Sequence, residues 1–563
     1  MNIPIALRFS VVLLLGAMLS GCGGAKLLLA PASPPPPRGA SHTQHGPAYA
    51  PNAVARGAPD PASDWGSYNK TLAGDRYSPL AQITPANVGA LRQVCAFQLD
   101  APVNMQSSLV EIGGTLYFST LQDTYAADAK TCALRWRHTY ELARQPPFDP
   151  NKVNRGVGWM DGRLFRGSND GRLYALDAGT GDELWNVAIG DPQIGETFPA
   201  APVAWNGRVY IGNAGGDNFG VTGRMMAFDA NTGAKLWSAD LVPTSGPASQ
   251  TWPPSTAQHP KAGAATWTSY TIDARNNLLW VPTGNSAPDF LKSVHPGQNL
   301  YTYSVVALDT KTGELKQSRQ LVTRDDFHDW DIAAPPELID TPDGRHLLIA
   351  AGKDGYLYAL DRDTLRLLFK TAVTRMENTT APLTAQGTHF CPGIDGGVEW
   401  NGPAYSPRSN AFYVNAIDWC ITVATEPPAQ LEGRKGLPWT GAKDRTHPFG
   451  VQDKQRSGWI TAVDAQDGSI RWQYHARAPL VSGITATAGG LVFSGDIAGD
   501  FMAFDARDGK LLWQRDLGQP IGGGVIAYAV DGKQYIAVAS GMDSPLGWQV
   551  HSTPARVVVF ALQ

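Results

Sequence analysis

A twelve-residue phrase recurs along this chain and constrains its fold more than any other feature. Its three strongest copies are YALDAGTGDELW (174–185), MAFDANTGAKLW (226–237) and MAFDARDGKLLW (502–513). Weaker copies begin at Tyr125, Val306, Tyr358 and Thr461. In every copy an Asp stands eight residues before an aromatic residue, except that Gln317 takes the aromatic place once. The phrase predicts an apolar strand, a tight turn built from Asp and Gly, and a second strand closed by Trp.

The spacing of the repeats predicts the architecture. A strand with alternating apolar positions precedes each copy, as in DGRLFRGS and NGRVYIGN, and eight such strands occur. Small antiparallel units at a period of about 40 to 50 residues are typical of a β-propeller. The last unit, RVVVFALQ (556–563), lacks its Trp strand, which LRQVCAFQL (91–99) can supply. We therefore predict an all-β, eight-bladed β-propeller over residues 64–563, closed by N- and C-terminal strands. The alternative, independent hairpins in a sandwich, does not explain a Trp repeated at one place.

Composition agrees with this fold and narrows the partners. Sixty Gly and 42 Pro suit a turn-rich all-β protein, and 43% apolar residues can fill the cores between sheets. The formal net charge is −4 and no Lys/Arg tract is present, so nothing indicates nucleic-acid binding.

The first 63 residues are predicted to contain a signal peptide and a tether. Arg8 precedes FSVVLLLGAML, an apolar run too short to span a membrane and suited to a signal peptide over residues 1–21. The run ends in LSGC, which resembles the bacterial lipobox and makes Cys22 the lipidated residue; an ordinary signal peptide with a chance Cys is the alternative. Residues 22–63, rich in Pro, Ala, Ser and Gly, are expected to form a disordered or extended tether. Gly23 is compatible with sorting to the outer membrane.

The remaining cysteines favour an oxidising compartment. Cys95 lies on the predicted closing strand and Cys132 in the first repeat, whereas Cys391 and Cys420 bracket one irregular blade. Two disulfides, Cys95–Cys132 and Cys391–Cys420, are therefore expected in a periplasmic protein. The sequence has no C-x-x-C-H motif for a c-type haem.

From Asp64 onward the chain resembles a known family. Its repeated phrase is similar to the tryptophan-docking motif of the eight-bladed quinoprotein dehydrogenases, which use pyrroloquinoline quinone (PQQ). The segment DWGSYNKTLAGDRYSPLAQITPANVGAL (64–91) resembles the opening segment of that family, and VNRGV, PTGNSAP, FHDWDIAAPPEL and AGKDGYLYALDR fall where its active site falls. The resemblance implies a PQQ-dependent dehydrogenase that oxidises an alcohol or sugar hydroxyl.

The resemblance also assigns the chemistry that PQQ requires. A divalent cation with oxygen ligands polarises the quinone, and a carboxylate removes the proton of the substrate hydroxyl. Asp331 in FHDWD matches the catalytic base and also a metal ligand, and Asn285 in PTGN matches the amide ligand of the metal. The plain alternative for each is a turn residue.

Four further residues match contacts with the cofactor itself. Trp267 in AATWTSYTID matches the indole on which PQQ lies, with a core Trp as the alternative. Arg155 in NRG and Lys353 in GKDG match the cations that hold its oxygens, with solvated surface charges as the alternative. Asn401 in GGVEWNGPAY matches a polar contact.

Several positions depart from the family pattern. In GGDNFG the metal-binding Glu is replaced by Asn218, which we still expect to be a metal ligand, and the adjacent Asp217 can compensate. The other departures are Met105 for a Glu, Leu480 for a Trp, and Asp149-Pro150 for a vicinal Cys pair. Losing carboxylates weakens the electrostatic case for a tightly bound metal.

The expected metal is Ca²⁺. Lanthanide-using members carry an Asp two residues beyond the base, and this chain has Ala333 there.

Two functions follow from these observations. The first is a periplasmic, membrane-tethered PQQ dehydrogenase that passes electrons to a separate cytochrome c or quinone; its substrate is a small or polymeric alcohol or sugar, and its only membrane contact is the lipid anchor. The second is a non-catalytic propeller lipoprotein of the outer membrane that acts as a binding scaffold. The co-occurrence of Trp267, Asn285, Asp331 and Lys353 favours the enzyme. Irregular insertions at 244–266 and 426–458 are expected to form the pocket walls.

Overall fold

The described residues form eight sheets, whose strands are antiparallel except where Tyr77–Ser78 joins the seventh. The computed structural model describes residues 37–50, 58–322 and 328–563; Cys22 and the predicted signal peptide lie outside these ranges. We number the sheets as blades 1 to 8 in chain order. The all-β, eight-bladed propeller predicted from the sequence is confirmed.

The first four blades each contain four consecutive strands. Blade 1 consists of Val110–Ile112, Thr115–Ser119, Asp123–Asp128 and Leu134–Tyr140. Blade 2 consists of Gly158–Met160, Arg163–Ser168, Arg172–Asp177 and Glu183–Ala188. Blade 3 consists of Val203–Trp205, Arg208–Gly212, Arg224–Asp229 and Lys235–Asp240. Blade 4 consists of Thr271–Asp273, Leu278–Pro282, Ser304–Asp309 and Leu315–Gln320.

The last four blades follow the same plan with additions. Blade 5 consists of Glu337–Asp340, His346–Ala351, Tyr356–Asp361 and Leu367–Ala372. Blade 6 consists of Ala404–Ser406, Ala411–Val423, Val451–Asp464 and Ile470–Ala476, with Thr388–Phe390 paired to its long second strand. Blade 7 consists of Thr485–Thr487, Leu491–Gly495, Asp500–Asp505 and Leu511–Asp516, with Tyr77–Ser78 on its first strand. Blade 8 consists of Val525–Val530, Lys533–Ser540, Arg556–Leu562 and Leu91–Gln98.

The helical elements of the described residues are short. They are the 3₁₀ turns Val88–Ala90, Pro192–Ile194 and Pro428–Gln430 and the single α-turn Gly246–Ser249. In the described part of the chain, no helix has the length and apolar character needed to cross a membrane.

The two ends of the propeller meet in blade 8. Leu91–Gln98 pairs antiparallel with Arg556–Leu562, so that Leu91 faces Leu562 and Phe97 faces Val557. The N-terminal strand thereby completes the sheet that the C-terminus leaves one strand short, as predicted. Pairing the ends in one sheet stabilises the ring because the C-terminal strand has no unpaired edge.

The repeated phrase connects adjacent blades at four interfaces. The indole N–H groups of Trp136, Trp185, Trp237 and Trp472 donate to backbone carbonyls of the following blade, at Ala178, Ala230, Thr310 and Ala506, over 3.1 to 3.2 Å. Each accepting residue follows the Asp of the next phrase. The glycine of that phrase lies against the ring: Gly181 has φ +76°, and a Cβ there would come within 2.6 Å of Trp136. The motif therefore requires Gly for both its backbone conformation and its packing.

The interface between blades 4 and 5 lacks both the Trp of the first blade and the glycine of the second. Gln317 stands in the Trp place of blade 4 and donates to the backbone carbonyl of Asp363 in blade 5 over 3.1 Å. Leu365 stands in the matching glycine place, with φ +55°, and is buried in the core between blades 4 and 5. A leucine thus replaces the glycine at the interface where Gln317, which has no aromatic ring, takes the Trp place.

Both expected disulfides are present. Cys95–Cys132 joins the outer strand of blade 8 to blade 1, with Cα atoms 5.7 Å apart. Cys132 occupies the glycine place of the blade 1 phrase, with φ +59°. Cys391–Cys420 joins the segment before blade 6 to the long second strand of that blade, with Cα atoms 4.5 Å apart.

Part of the predicted tether packs on the propeller. Ser41–His45 pairs antiparallel with the outer strand of blade 1, and the Thr43 hydroxyl donates to the Gly181 carbonyl over 2.9 Å. The sequence predicted a disordered or extended spacer but did not predict that this stretch packs on blade 1. The outer strand of a blade offers unpaired backbone groups, and even a polar strand can satisfy them.

Candidate active site

One cavity of about 210 Å³ collects residues from nearly every blade. Its lining comes from loops that precede a blade, such as those of Arg155, Trp267 and Asp331, and from loops within a blade, such as those of Asn285 and Lys353. The five residues expected to converge thus line the same cavity. Propeller sites are assembled in this way because each blade presents its loops to a common axis.

The carboxylate of Asp331 is held by three donors. Its Oδ1 accepts from the backbone N–H of Asn285 over 2.6 Å, and its Oδ2 accepts from the indole N–H of Trp267 over 2.9 Å. The ammonium of Lys353 lies 3.1 Å from Oδ2 and 3.2 Å from Asp329 Oδ1. This arrangement fixes the side chain in one orientation while the residue still lines the cavity.

Aromatic faces and cations alternate along one wall. The guanidinium of Arg155 lies 4.6 Å from the ring centre of Trp267 and 5.2 Å from that of Trp400. The ammonium of Lys353 lies 5.6 Å from the Trp267 ring. A planar anion has here both a surface for stacking and positive charges for its oxygens. The wall fits a planar polycarboxylate such as PQQ.

Buried carboxylates cluster around Asp331, some lining the cavity and some behind it. Burial and the charge of Asp331 raise the pKa of Asp217 to about 6. Burial and the carboxylates of Asp217 and Asp329 raise the pKa of Asp289 well above its usual range. Asp289 is fully buried, and neither of its carboxylate oxygens has a hydrogen-bond partner among the described residues. Lys353 alone offsets little of this charge, so the cluster fits a bound metal cation.

The structure separates Asp217 from Asn218 as candidate metal ligands. Asp217 lies close enough to Asn285 and Asp331 for both to affect the pKa of its carboxyl, which places it beside the Asn285–Asp331 pair. Asn218 also lines the cavity, but its amide donates to the Gly195 carbonyl over 3.0 Å. The ligand role of Asn218 stays a prediction. The family pattern has a carboxylate at position 218. In this chain the preceding residue, Asp217, carries one instead.

Asn401 is not among the described residues that line the cavity. Its amide donates to the Val481 carbonyl over 2.7 Å, and its backbone carbonyl accepts from Arg76 over 2.9 Å. These bonds tie blade 6 to blade 7 and to the N-terminal segment. The cofactor contact assigned to Asn401 stays a prediction, and Glu399, two residues earlier, lines the cavity instead.

The departures from the family pattern fall into two groups. Met105 and Leu480 are buried in cores between blades and do not line the cavity. Asp149 and Pro150 do line it, in the place of the missing Cys pair.

Several lining residues were not identified from the sequence. They are Gln106, Phe148, Asp395, Glu399, Trp400, Phe449 and Trp548. The motif GGVEW contains Glu399 and Trp400, but sequence reasoning selected the Asn two positions later. The aromatic residues lie in irregular loops, whose course periodicity does not predict.

Two insertions contribute to the walls as expected. The stretch 426–450 leaves blade 6 and crosses to blades 3 and 4, where Trp439 N–H donates to the Asp217 carbonyl over 2.7 Å and Phe290 N–H donates to the Thr440 carbonyl over 2.8 Å. It brings Phe449 to within 6.4 Å, between ring centres, of Phe148. The stretch 244–266 contributes Ala265.

Comparison with known proteins decides the family. A family profile described as "Glucose/ethanol/alcohol dehydrogenase, beta-propeller domain" matches residues 65–372, more than half of the chain. The chain belongs to the PQQ-dependent alcohol dehydrogenases. A second profile, described as "Outer membrane protein assembly factor BamB", matches residues 456–560.

Named relatives of this PQQ-dependent alcohol dehydrogenase are enzymes of the same kind. The dehydrogenase subunit of "Alcohol dehydrogenase (quinone)" from Gluconacetobacter polyoxogenes is 30% identical over 571 residues, which cover 90% of this chain and 76% of that protein. The "Lanthanide-dependent methanol dehydrogenase" of Methylacidiphilum fumariolicum is 30% identical over 532 residues, 86% of this chain and 85% of that protein.

Solved structures agree with this placement. The quinohemoprotein alcohol dehydrogenase ADHIIG of Pseudomonas putida superposes with a TM-score of 0.78 at 26% identity, covering 89% of this chain and 80% of that chain. A "Europium-containing methanol dehydrogenase" superposes with a TM-score of 0.77 at 28% identity, covering 89% and 98%. The chain is therefore a PQQ-dependent oxidoreductase.

Proposed function

We propose that this dehydrogenase oxidises an alcohol at the cavity, with Asp331 as the base and Ca²⁺ as the metal. The observation that carries the proposal is the position of Asp331, oriented by Trp267 and Lys353 inside a cavity that also holds Arg155. The names of the relatives support an alcohol as substrate. The scaffold alternative requires none of these residues to meet.

PQQ and a metal would be held by adjacent groups of the cavity. Trp267 would stack on the cofactor, and Arg155 and Lys353 would bind its oxygens. Asp217, Asn285 and Asp331 supply the oxygen ligands that a hard cation such as Ca²⁺ prefers. When bound, PQQ supplies the quinone that takes up the two electrons of alcohol oxidation.

Asp331 would accept the proton of the substrate hydroxyl. One carboxylate oxygen is hydrogen bonded to the Asn285 backbone and the other to Trp267 and Lys353, so the group does not need to reorient during the reaction. Lys353 also lies 3.2 Å from Asp329, which fixes the ammonium between two carboxylates. Trp400 and Trp548, which meet edge to face at 5.6 Å, would keep water from the inner end of the cavity.

We place the enzyme on the periplasmic side of a bacterial outer membrane. The support is the apolar run before Cys22, the lipobox-like LSGC and the two disulfides, which favour an oxidising compartment. Its electrons would pass to a separate cytochrome c or quinone, because the sequence has no C-x-x-C-H motif. Mass spectrometry of the mature N-terminus tests the anchor: a diacylated Cys22 supports it, and an unmodified Cys22 contradicts it.

Reconstitution tests the proposed activity. The purified protein is incubated with PQQ and Ca²⁺ and assayed by dye-linked oxidation of alcohols, aldoses and polymeric alcohols. We expect tight uptake of PQQ and turnover of alcohols. Absence of PQQ uptake would favour the scaffold function.

A further inference from the structure

The cavity contains a carboxyl group that neither the proposed metal site nor the proposed base uses. Glu399 lines the cavity and is 5% exposed, and its Oε1 is buried without a hydrogen-bond partner among the described residues. A buried carboxyl oxygen without a hydrogen-bond partner is costly unless a ligand supplies one.

The local fold fixes Glu399 beside the cofactor-binding cations. Val398 N–H donates to the Gly352 carbonyl over 3.0 Å, which seats the segment on the backbone next to Lys353. Gly397 has φ +70°, and a Cβ there would come within 2.6 Å of the carbonyl carbon of Lys353. Only glycine allows this approach. On the other side, Trp400 packs against the guanidinium of Arg155.

Charged groups on four segments face this carboxyl. Lys353 from blade 5 and Arg155 from the segment before blade 2 favour the ionised form, whereas Asp395 from its own segment and Asp331 oppose it. Burial opposes it most, so the pKa of Glu399 rises to about 8. Burial likewise raises the pKa of Asp395 to about 6, and that residue accepts a hydrogen bond from Gln452.

We propose that Glu399 serves cofactor binding as a neutral carboxylic acid, donating its proton in a hydrogen bond to an oxygen of PQQ. This inference rests on the proposed function. PQQ carries three carboxylates, and an ionised Glu399 would add a fourth negative charge beside the side-chain cations Arg155 and Lys353. A neutral acid instead adds a donor for one of the carboxylate or quinone oxygens of the cofactor. Cofactor retention therefore depends on a proton held by the protein.

The sign of the pH dependence follows from the raised pKa. Below about pH 8 Glu399 is neutral and binding is favoured; above it the carboxylate forms and PQQ is repelled. At about pH 9 roughly one tenth of the protein would hold the proton. Glutamine at this position keeps an N–H donor at every pH. The PQQ affinity of Glu399→Gln should therefore not fall as the pH rises past about 8.

The test compares PQQ binding by the wild type and Glu399→Gln, in the presence of Ca²⁺, from about pH 6.5 to about pH 9.5. Binding is measured by quenching of tryptophan fluorescence and by equilibrium dialysis, so no turnover is needed. The matched control is Glu314→Gln, just before the outer strand of blade 4, where the side chain is 66% exposed and paired with Lys316. Infrared spectra of both cofactor-free proteins at neutral pH should show a neutral-carboxyl band that Glu399→Gln reduces.

We expect equal affinities at about pH 6.5 and, at about pH 9, binding by Glu399→Gln that is about tenfold tighter than that of the wild type. The control should follow the wild type. Parallel binding curves for the wild type and Glu399→Gln across the whole range would overturn the inference and leave the proposed function intact. If neither protein bound PQQ at any pH, the proposed function and this inference would both fall.

Discussion

Trp267 donates its indole N–H to Asp331 Oδ2 over 2.9 Å, which joins the stacking surface of the site to its proposed base. The same ring lies 4.6 Å from the Arg155 guanidinium and 5.6 Å from the Lys353 ammonium. One side chain therefore contributes to the stacking of the cofactor and to the orientation of the carboxylate. Replacing the ring and removing its N–H are separable experiments.

Trp267→Phe keeps an aromatic face but removes the donor to Asp331. We expect dye-linked turnover to fall about tenfold, because one of three hydrogen bonds that orient the carboxylate is lost. PQQ affinity should change by less than turnover does. Trp267→Ala is the control: it should lose PQQ binding as well. Equal losses of binding and turnover in Trp267→Phe would contradict an orienting role for the indole N–H.

Substitutions at Asp217 and Asn218 should affect Ca²⁺ binding to different extents. Asp217→Asn should weaken Ca²⁺ binding at least tenfold, because a carboxylate ligand becomes a neutral amide. Asn218→Ala should change it less, since that amide is bonded to the Gly195 carbonyl. Isothermal titration of the cofactor-free protein with Ca²⁺ measures both. A larger effect from Asn218→Ala would return the ligand role to Asn218.

Phe148 and Phe449 come from different blades and face each other across the cavity. Phe449→Ala should widen the space between them and raise the kcat/KM ratio of bulky over small primary alcohols several-fold. Phe148→Ala should act in the same direction. The comparison of ethanol with benzyl alcohol measures this ratio. No change in the ratio in either variant would show that the pair does not contact substrate.

The interface between blades 4 and 5 allows a double-mutant cycle. Gln317→Trp alone should destabilise the protein, because Leu365 holds the place where glycine receives the indole on other blades. Leu365→Gly alone should cost about 2 kcal/mol through loss of a buried leucine, partly offset by relief of its φ of +55°. Together the two changes should recover at least about 1 kcal/mol. Thermal unfolding measures each arm, and strict additivity would argue against the compensation.

The sequence predicted the fold in detail because the same twelve-residue phrase recurs in the blades of the propeller. Each Trp with its Asp-turn-Gly partner specifies one contact, and the unpaired C-terminal strand specified where Leu91–Gln98 must go. The same logic predicted both disulfides. It missed the packing of Ser41–His45, because that stretch is polar and its pairing depends on the edge that blade 1 offers.

The site was less predictable for a physical reason. Trp267, Asn285, Asp331 and Lys353 lie in short motifs that resemble those of the family, and they line one cavity as expected. No sequence pattern marks Glu399 or Asp289 as a site residue. Their buried, carboxylate-rich environments arise only when several blades come together. Phe148 and Phe449 lie in insertions whose paths depend on tertiary contacts.

Replacement of the proposed base tests the account most directly. Asp331→Asn keeps the size of the side chain and an oxygen for the metal but removes the proton acceptor. Purified wild type and Asp331→Asn are loaded with PQQ and Ca²⁺, their bound PQQ is quantified by absorbance, and dye-linked alcohol oxidation is measured on the same samples. We expect comparable PQQ contents and a loss of kcat of about 10²- to 10⁴-fold in the variant. Unchanged turnover in a fully loaded Asp331→Asn would contradict the assignment of Asp331 as the base.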